Sequence, residues 1–217
     1  MTLLLTSAGV GEGLRDIFLA LLPKAPQDIS VSYIVTAAFG EEGEKSWLYN
    51  AKKQLEDVGI TDIEDLDLRG KTKEDLYAVL SQKDIILVNG GNTFFLLKYV
   101  KESGFNSVVK DLINQGKIYI GVSAGSYIAC PTIEHAYWKH QDRNDCGVTD
   151  LTALSLVPFF VIAHFTGEVR RVVAEGALST AYPVVALSDT QAVLVKGKSV
   201  QVVGEGKREF FNGFEEK

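Results

Sequence analysis

A serine placed between two glycines, directly after an apolar run, is the feature that most restricts how this chain can fold. The run Ile118–Val122 is typical of a buried strand and leads directly into Ser123. Gly121 and Gly125 lie two positions before and after that serine. A strand that turns sharply into a helix strains the backbone at the bend, and side chains at those two positions would collide. The pattern predicts a nucleophile elbow that exposes the Ser123 hydroxyl and directs the N–H of Ala124 at a developing oxyanion, which is the chemistry of acyl transfer.

Apolar segments of strand length alternate with amphipathic segments of helix length along most of the chain. The predicted strands are Leu3–Ala8, Ser30–Ala37, Ile63–Leu68, Asp84–Val88, Phe159–His164 and Val184–Leu187. The predicted helices are Gly11–Leu22, Glu44–Val58, Lys73–Leu80 and Phe105–Gln115, with others beginning near Phe94 and Glu168. This alternation predicts an α/β fold with a doubly wound, mostly parallel sheet flanked by helices. Ala192–Val195 and Ser199–Val203, separated by Gly197, predict a C-terminal hairpin, and we expect one domain over residues 1–217.

Composition excludes several function classes. The net charge of -6 argues against nucleic acid or an anionic membrane surface as a partner. No apolar run approaches the roughly 20 residues of a membrane span, and the N-terminus lacks the features of a signal peptide. The two cysteines, Cys130 and Cys146, show no CxxC spacing and suit a reducing compartment. We expect a cytoplasmic protein that uses neither a metal nor an organic cofactor.

A serine nucleophile needs a base, and the chain has three histidines. His135 and His140 lie in a polar segment, residues 132–149, which we interpret as a loop facing the site. His164 ends the apolar run 160–163, and the carboxyl ends of strands are where sites assemble in α/β sheets. We therefore expect His164 to be the base; the alternative is a histidine that only ends a strand.

The base in turn needs an orienting acid. Asp189 follows the predicted strand Val184–Leu187, so it lies at a carboxyl end as well. Glu168 and Glu175 are competitors within a predicted helix, and an ordinary turn is the alternative role for Asp189. The resulting order, Ser–His–Asp, differs from the Ser–acid–His order of α/β-hydrolases and predicts a different fold.

The second oxyanion donor is expected in the turn Gly90-Gly91-Asn92. Glycines after a strand let the backbone approach a ligand closely, and N–H groups at the start of a helix carry partial positive charge. The same turn is also compatible with Asn92 or Thr93 as an ordinary helix N-cap.

Four segments, in order along the chain, resemble the peptidase E (aspartyl dipeptidase) family of serine peptidases, to which cyanophycinase is related. They are Asn89–Phe94, Tyr119–Gly125, Ala129–Ile133 and Ala163–Thr166. The resemblance implies a fold like that of the class I glutamine amidotransferases (flavodoxin-like), with a serine in place of their cysteine. It implies Ser123 as nucleophile, His164 as base, and the N–H groups of Gly91 and Ala124 as the oxyanion hole.

The resemblance also implies residues that bind substrate. The segment Gly167-Glu168-Val169-Arg170 matches a Gly-Glu-x-Arg pattern of the family, so Arg170 is expected to bind an acidic substrate side chain. Asn92, in the matched turn, is expected to contact substrate as well. The family's triad acid is a glutamate, and Asp189 occupies the corresponding stretch here.

The implied function is a serine peptidase that cleaves short peptides, including those with N-terminal aspartate, through a Ser–His–Asp triad and an acyl-enzyme. Two segments differ from the family: the loop between His164 and Gly167 is shorter, and Glu134–Asp145 does not resemble the family's corresponding stretch. Both border the substrate in the family. Another acyl or isopeptide substrate, as in cyanophycinase, therefore stays open, as does a non-catalytic member that only binds a ligand. The sequence does not indicate an oligomeric state.

Overall fold

The computed structural model describes residues 1–139 and 142–217, and within them the chain forms two β-sheets with helices packed around the larger one. The strands are β1 (Thr2–Thr6), β2 (Ser30–Ile34), β3 (Asp62–Leu66), β4 (Ile85–Val88), β5 (Ile118–Val122), β6 (Phe160–Ile162), β7 (Val184–Ala186), β8 (Gln191–Lys196), β9 (Ser199–Gly204) and β10 (Glu209–Phe211). The α-helices are α1 (Arg15–Leu19), α2 (Asn50–Asp57), α3 (Lys73–Leu80), α4 (Thr93–Glu102), α5 (Phe105–Asn114), α6 (Ala124–Tyr127) and α7 (Arg170–Ala177). None of these helices is both long enough and apolar enough to span a membrane.

The larger sheet has seven strands in the order β3-β2-β4-β5-β1-β8-β9. The first five run parallel, and β8 and β9 are antiparallel to their neighbours. Because β1 lies between β5 and β8, strands distant in sequence meet at the centre of the sheet: Leu4 is opposite both Ile120 and Leu194. The predicted doubly wound, mostly parallel sheet with a C-terminal hairpin is confirmed.

The apolar core lies on both faces of this sheet. Strand β4 is buried along its whole length, and its residues alternate between the two faces: Ile86 and Val88 belong to one core cluster, Ile85 and Leu87 to the other. This alternation follows from the period of two in a strand. It explains why the segment reads as a continuous apolar run rather than an alternating one.

A second sheet of three strands, in the order β10-β7-β6, stands apart from the first. Strands β6 and β7 run parallel, and β10 is antiparallel to β7. The apolar pattern predicted strands at both β6 and β7 but contains no information on which strands they pair with, because pairing is decided between segments that are distant along the chain.

Two predicted helices begin differently in the structure. The segment predicted as the helix Gly11–Leu22 forms a 3-10 turn, Glu12–Leu14, followed by α1. The segment predicted as Glu44–Val58 likewise begins with a 3-10 turn, Ser46–Tyr49, before α2. A 3-10 turn places apolar residues on one face much as an α-helix does, so the sequence pattern does not separate the two.

The topology brings the carboxyl ends of several strands to one edge of the larger sheet. Residues that directly follow the parallel strands β1, β4 and β5 lie at this edge, and they include Ser7, Asn89 and Ser123. Asn89 and Ser123 line one cleft there, together with Ser7 and His164. Ligands bind at the carboxyl ends of the strands in folds of this kind, so this edge is where the site is expected.

Candidate active site

The bend after β5 has the geometry that the two glycines predict. Ser123 has φ 51° and ψ −109°, a conformation that non-glycine residues rarely adopt, and α6 begins at the next residue. A Cβ atom on Gly121 would lie 2.6 Å from the carbonyl oxygen of Gly125, and one on Gly125 would lie 1.9 Å from the carbonyl oxygen of Val88. Only glycine fits at either position, so local sterics hold Ser123 at the turn.

The structure brings together the three residues expected to form a triad. His164 Nε2 lies 3.0 Å from the Oγ atom of Ser123, and His164 Nδ1 lies 2.6 Å from Oδ1 of Asp189. His164 follows β6 and Asp189 follows β7, so two parallel strands of the smaller sheet carry the pair. With Nδ1–H donating to the carboxylate, Nε2 is the nitrogen that can accept the serine proton.

Ser7 links the other two groups, and the sequence reasoning did not include it. Its fully buried hydroxyl donates to Oδ1 of Asp189 at 2.6 Å and accepts the backbone N–H of His164 at 2.7 Å. Partial burial alone would raise the pKa of Asp189, but the hydrogen bond from Ser7 and the imidazole of His164 hold that pKa below its usual value. Asp189 is therefore ionised at neutral pH. The available signal was the position of Ser7 directly after β1, at the carboxyl edge.

The glycine turn after β4 lies against the nucleophile. A Cβ atom on Gly90 would lie 3.2 Å from Cβ of Ser123, and Gly91 has φ +127° with its backbone packed on the carbonyl of Ala37. Among the described residues, neither the N–H of Gly91 nor that of Ala124 donates to another protein group. Both expected oxyanion donors therefore keep a free N–H beside Ser123.

Asn92 lies in this turn, but its side chain is occupied by protein contacts. Its Oδ1 atom accepts the N–H of Phe95 at 2.9 Å, which caps α4, and its Nδ2 atom donates to the carbonyl of Arg143 at 3.0 Å. The side chain is also buried. The expected contact between Asn92 and substrate has no support in this geometry, which matches the alternative role of a helix N-cap.

Arg170 is not brought to Ser123. It is the first residue of α7, where its exposed guanidinium pairs with the carboxylate of Glu209 and lies 5.6 Å from the ring of Phe211. Arg170 borders a separate surface depression with Lys207 and does not line the cleft over Ser123. The prediction that Arg170 binds an acidic substrate side chain has no support in this geometry, because β10 supplies the carboxylate with which it pairs.

One of the two other histidines, His135, lies in the core. His135 is fully buried, stacked on Phe160 with ring centroids 4.3 Å apart, and burial lowers its pKa to about 3. Its ring nitrogens have no hydrogen-bond partner among the described residues, so it is a core histidine rather than a base. His140 lies outside the described residues.

The polar segment 132–149 reaches both halves of the site, as expected for a loop facing it. Lys139 Nζ donates to the carbonyl of Ala163, the residue before His164, at 2.6 Å. Burial lowers the pKa of Lys139 to about 8, although Asp142 and Asp189 oppose the shift. On the other side, Asp142 Oδ2 accepts the N–H of Thr93 at 2.9 Å, directly after the glycine turn.

A cleft of about 480 Å³ opens over Ser123 and His164. Ser7 and Asn89 contribute to it from the sheet edge, and Trp47 and Asp142 from the surrounding loops. Among the described residues no three His, Cys, Asp or Glu side chains are placed to hold a metal ion. The arrangement places a serine hydroxyl and an imidazole in this cleft, an ionised carboxylate behind the imidazole, and two backbone N–H groups beside the serine, a set of groups that can carry out acyl transfer.

Comparisons with known proteins find similar peptidases. The model of "Peptidase family S51" matches residues 3–203. An uncharacterized peptidase of Listeria monocytogenes is 33% identical over 180 residues, which cover 80% of this chain and 85% of that protein. Peptidase E of Escherichia coli O1:K1 / APEC is 39% identical over 95 residues, which cover 42% of this chain and 38% of that protein.

Two solved structures are similar as well. A crystal structure of a Listeria monocytogenes EGD-e protein, provisionally assigned as a peptidase E, has a TM-score of 0.79 and 30% identity and covers 94% of this chain and 98% of its own. The structure of a peptidase from an acI-B1 Actinobacterium has a TM-score of 0.69 and covers 100% of this chain and 92% of its own. Because its sequence identity is 19%, the similarity to this second structure is evidence for a shared fold alone. The resemblance read from the four motifs is confirmed: this chain is a peptidase and belongs to peptidase family S51.

Proposed function

We propose that this peptidase is a serine-type hydrolase that cleaves short peptides through Ser123, His164 and Asp189. The observation that carries the proposal is the continuous hydrogen-bonded path from the Ser123 hydroxyl through the imidazole to the carboxylate, with distances of 3.0 and 2.6 Å. A nucleophile, a base and an orienting acid in that order are what an acyl-transfer triad requires.

In the first half-reaction His164 Nε2 takes the hydroxyl proton as Ser123 Oγ attacks the scissile carbonyl carbon. The carbonyl oxygen becomes an oxyanion and accepts hydrogen bonds from the N–H groups of Gly91 and Ala124. Asp189, ionised and held by Ser7, stabilises the imidazolium that forms. Collapse of the tetrahedral intermediate transfers the proton from His164 to the leaving amine and leaves an acyl-enzyme.

In the second half-reaction water replaces the amine. His164 removes a proton from the water, whose oxygen attacks the acyl carbon, and the same N–H groups bind the second oxyanion. Release of the acid returns the proton to Ser123. The cleft volume of about 480 Å³ lies within the range of about 300–1,000 Å³ of small-molecule sites, which supports a short peptide as substrate. Cys130 and Cys146 are free thiols, which supports a reducing compartment, and we place the reaction in the cytoplasm.

A different acyl or isopeptide substrate is the second candidate, and one observation favours it. Arg170, the residue expected to select an acidic side chain, pairs with Glu209 outside the cleft. The triad chemistry is the same in both cases, and only the recognised side chain differs.

The test is hydrolysis of the aspartyl, alanyl and leucyl p-nitroanilides, together with covalent labelling of Ser123 by an alkyl fluorophosphonate, followed by intact mass. Ser123→Ala is expected to abolish labelling and to remove turnover apart from what the oxyanion hole alone supplies. Asp189→Asn is expected to lower kcat by about 10³- to 10⁴-fold, because the base loses the anion that orients it and stabilises its charge. Ser179→Ala, at an exposed serine away from the cleft, is the control. Unchanged hydrolysis by Ser123→Ala would refute the proposal.

A further inference from the structure

His164 holds its imidazole from a main-chain conformation that histidine rarely adopts. Its φ angle is 52°, in the left-handed region, which is unfavourable for a residue with a Cβ atom. Such a conformation persists only where contacts with the rest of the protein hold it. The N–H of His164 donates to Oγ of Ser7 at 2.7 Å, and the carbonyl of the preceding residue, Ala163, accepts Lys139 Nζ. The orientation of the base therefore depends on side chains from two distant parts of the chain.

The hydrogen-bonded pair of His164 and Asp189 lies open to solvent. Their side chains are 41% and 61% exposed, whereas Ser7 is fully buried. Exposed charged pairs are held weakly in one geometry, because water competes for each partner and both side chains lose rotamer freedom. The hydroxyl of Ser7 donates to Oδ1 of Asp189, the same oxygen that His164 Nδ1 contacts. A buried hydroxyl is therefore the fixed partner that keeps this oxygen turned towards the imidazole.

Three hydrogen bonds close a ring between Ser7, His164 and Asp189. The hydroxyl of Ser7 accepts the main-chain N–H of His164 and donates its proton to Oδ1 of Asp189, which in turn accepts Nδ1–H of the imidazole. A hydroxyl can do both, since it carries one donor and two acceptor positions. A methyl group in its place offers neither. One side chain therefore holds both the main chain and the ring of the base.

The carboxyl end of β1 holds the nucleophile as well. The carbonyl of Thr6 accepts the N–H of Ser123 at 3.1 Å and the hydroxyl of Ser126 at 2.8 Å. The next residue, Ser7, is fixed on β8, because its N–H donates to the carbonyl of Gln191 at 3.3 Å. Two consecutive residues at the end of β1 therefore connect the nucleophile, which the larger sheet carries, with the base and acid, which the smaller sheet carries.

We propose that Ser7 is a positioning residue, whose hydroxyl sets the place of the His164 imidazole relative to Oγ of Ser123. The inference rests on the proposed function of the site. Although Ser7 lines the cleft, its proton is committed to Asp189, so it acts through the base and the acid rather than on the substrate. Its loss is expected to slow proton transfer from Ser123 and to leave substrate binding unchanged.

Ser7→Ala removes the hydroxyl with little change in volume. We expect it to slow covalent labelling of Ser123 by the alkyl fluorophosphonate about 10- to 100-fold, because a displacement of the base on the order of 1 Å costs about that much. For p-nitroanilides that the wild type cleaves, kcat should fall by the same factor and KM should not change. Ser32→Ala is the matched control: Ser32 is fully buried in β2, and its hydroxyl has no hydrogen-bond partner among the described residues.

A spectroscopic readout separates positioning from a purely structural role. In proton NMR, an imidazole N–H held by a carboxylate gives a signal far downfield of the amide protons. Asp189→Asn assigns this signal to His164 Nδ1–H, because it removes the carboxylate. In Ser7→Ala the signal is expected to broaden or to move towards the amide region, because the released carboxylate turns to solvent. Ser32→Ala should keep the signal in place.

Ser7→Cys covers the case in which Ser7→Ala does not fold. The sulfur atom fills the buried site, but a thiol is a weak donor and a weak acceptor. Labelling of this variant is expected to be slower than in the wild type, by a smaller factor than for Ser7→Ala. The downfield signal is expected to change in the same direction.

A folded Ser7→Ala or Ser7→Cys variant with the wild-type labelling rate and downfield signal would overturn the proposal. A lower melting temperature with both readouts unchanged would overturn it too, since Ser7 would then be structural only. A wild type whose Ser123 resists the fluorophosphonate and that cleaves no anilide would refute the proposed hydrolysis, and the downfield signal would still test whether Ser7 positions the imidazole. Labelling that is lost in Ser123→Ala but unaffected in Ser7→Ala would keep the hydrolysis and remove the role of Ser7.

Discussion

The bend at Ser123 and the polar segment 132–149 both contribute to one cleft, but they are held in different ways. At the bend, backbone atoms leave no room: a Cβ at Gly125 would lie 1.9 Å from a neighbouring carbonyl oxygen. The polar segment is held by side chains that bond to the main chain of distant segments: Lys139 donates to the carbonyl of Ala163, and Asp142 accepts the N–H of Thr93.

This difference in how the two parts are held predicts that mutations in them have different effects. Reaction geometry depends on the bend, where steric repulsion permits one residue type at each of two positions. The polar segment contributes side-chain contacts instead, from Lys139 to the carbonyl of Ala163 and from Asp142 to the N–H of Thr93. We therefore expect substitutions at the bend to damage folding and activity together, and those in the polar segment to separate them.

The largest effect is expected for Gly125→Ala. The added methyl group would overlap the carbonyl of Val88, so β4 or α6 must move, and we expect a loss of about 3 kcal/mol or more of unfolding free energy. Fluorophosphonate labelling of Ser123 should fall with it. Denaturant unfolding and the labelling rate measure the two effects. Gly167→Ala, where an added Cβ meets nothing within 4 Å, is the matched control; equal behaviour of the two variants would contradict the steric account.

Lys139→Met is expected to lower kcat without lowering the unfolding free energy. Burial lowers the pKa of Lys139 to about 8, so the fold disfavours its charged form, and an uncharged side chain of similar length avoids that desolvation cost. The same change frees the carbonyl before His164, and a small displacement of the base is expected to lower kcat on the order of 10- to 100-fold.

Thermal unfolding and steady-state kinetics of the lysine variant check both parts. Lys53→Met, at an exposed lysine on α2, should leave kcat unchanged. A large loss of stability in Lys139→Met with unchanged kcat would make the contact purely structural.

The smallest effect at neutral pH is expected on the unfolding free energy when His135 is substituted. Burial lowers its pKa to about 3 in the folded state, whereas a histidine in the unfolded chain has a pKa of about 6.5. Between these values the unfolded state binds more protons, so the unfolding free energy falls as the pH falls, by up to about 1.4 kcal/mol per unit.

His135→Phe should weaken this acid dependence, because phenylalanine can keep the stacking on Phe160 without a proton to bind. Urea unfolding of both proteins at pH 7, 6, 5 and 4 gives the comparison. Parallel pH profiles for the two proteins would mean that other groups cause the acid sensitivity.

Particular residues show how far sequence reasoning reaches. Ser123 and its two glycines could be identified because the constraint spans five consecutive positions. His164 and Asp189 could be placed because each follows an apolar run, and the carboxyl ends of neighbouring strands meet. Ser7 carries no comparable local signal: its partner Asp189 lies 182 residues away, and a serine after a strand is common.

The residues expected to bind substrate show the limit. Arg170 was chosen from a four-residue pattern, but its partner Glu209 is 39 residues further along, on a strand of the second sheet. The side chain of Asn92 is shared between the N–H of Phe95 and the carbonyl of Arg143, and only the first of these contacts is local.

The sequence by itself determined the order of strands and helices, the bend at Ser123, the C-terminal hairpin and the family. These depend on apolar periodicity and on steric exclusion between near neighbours, which a short stretch of sequence already contains. The tertiary structure alone decided the separate three-stranded sheet, the bridge from Ser7 to Asp189, the position of Arg170 and the set of residues that lines the cleft. Those features depend on which side chains meet across long sequence separations, because a charge or hydroxyl takes its role from the partner that folding brings to it.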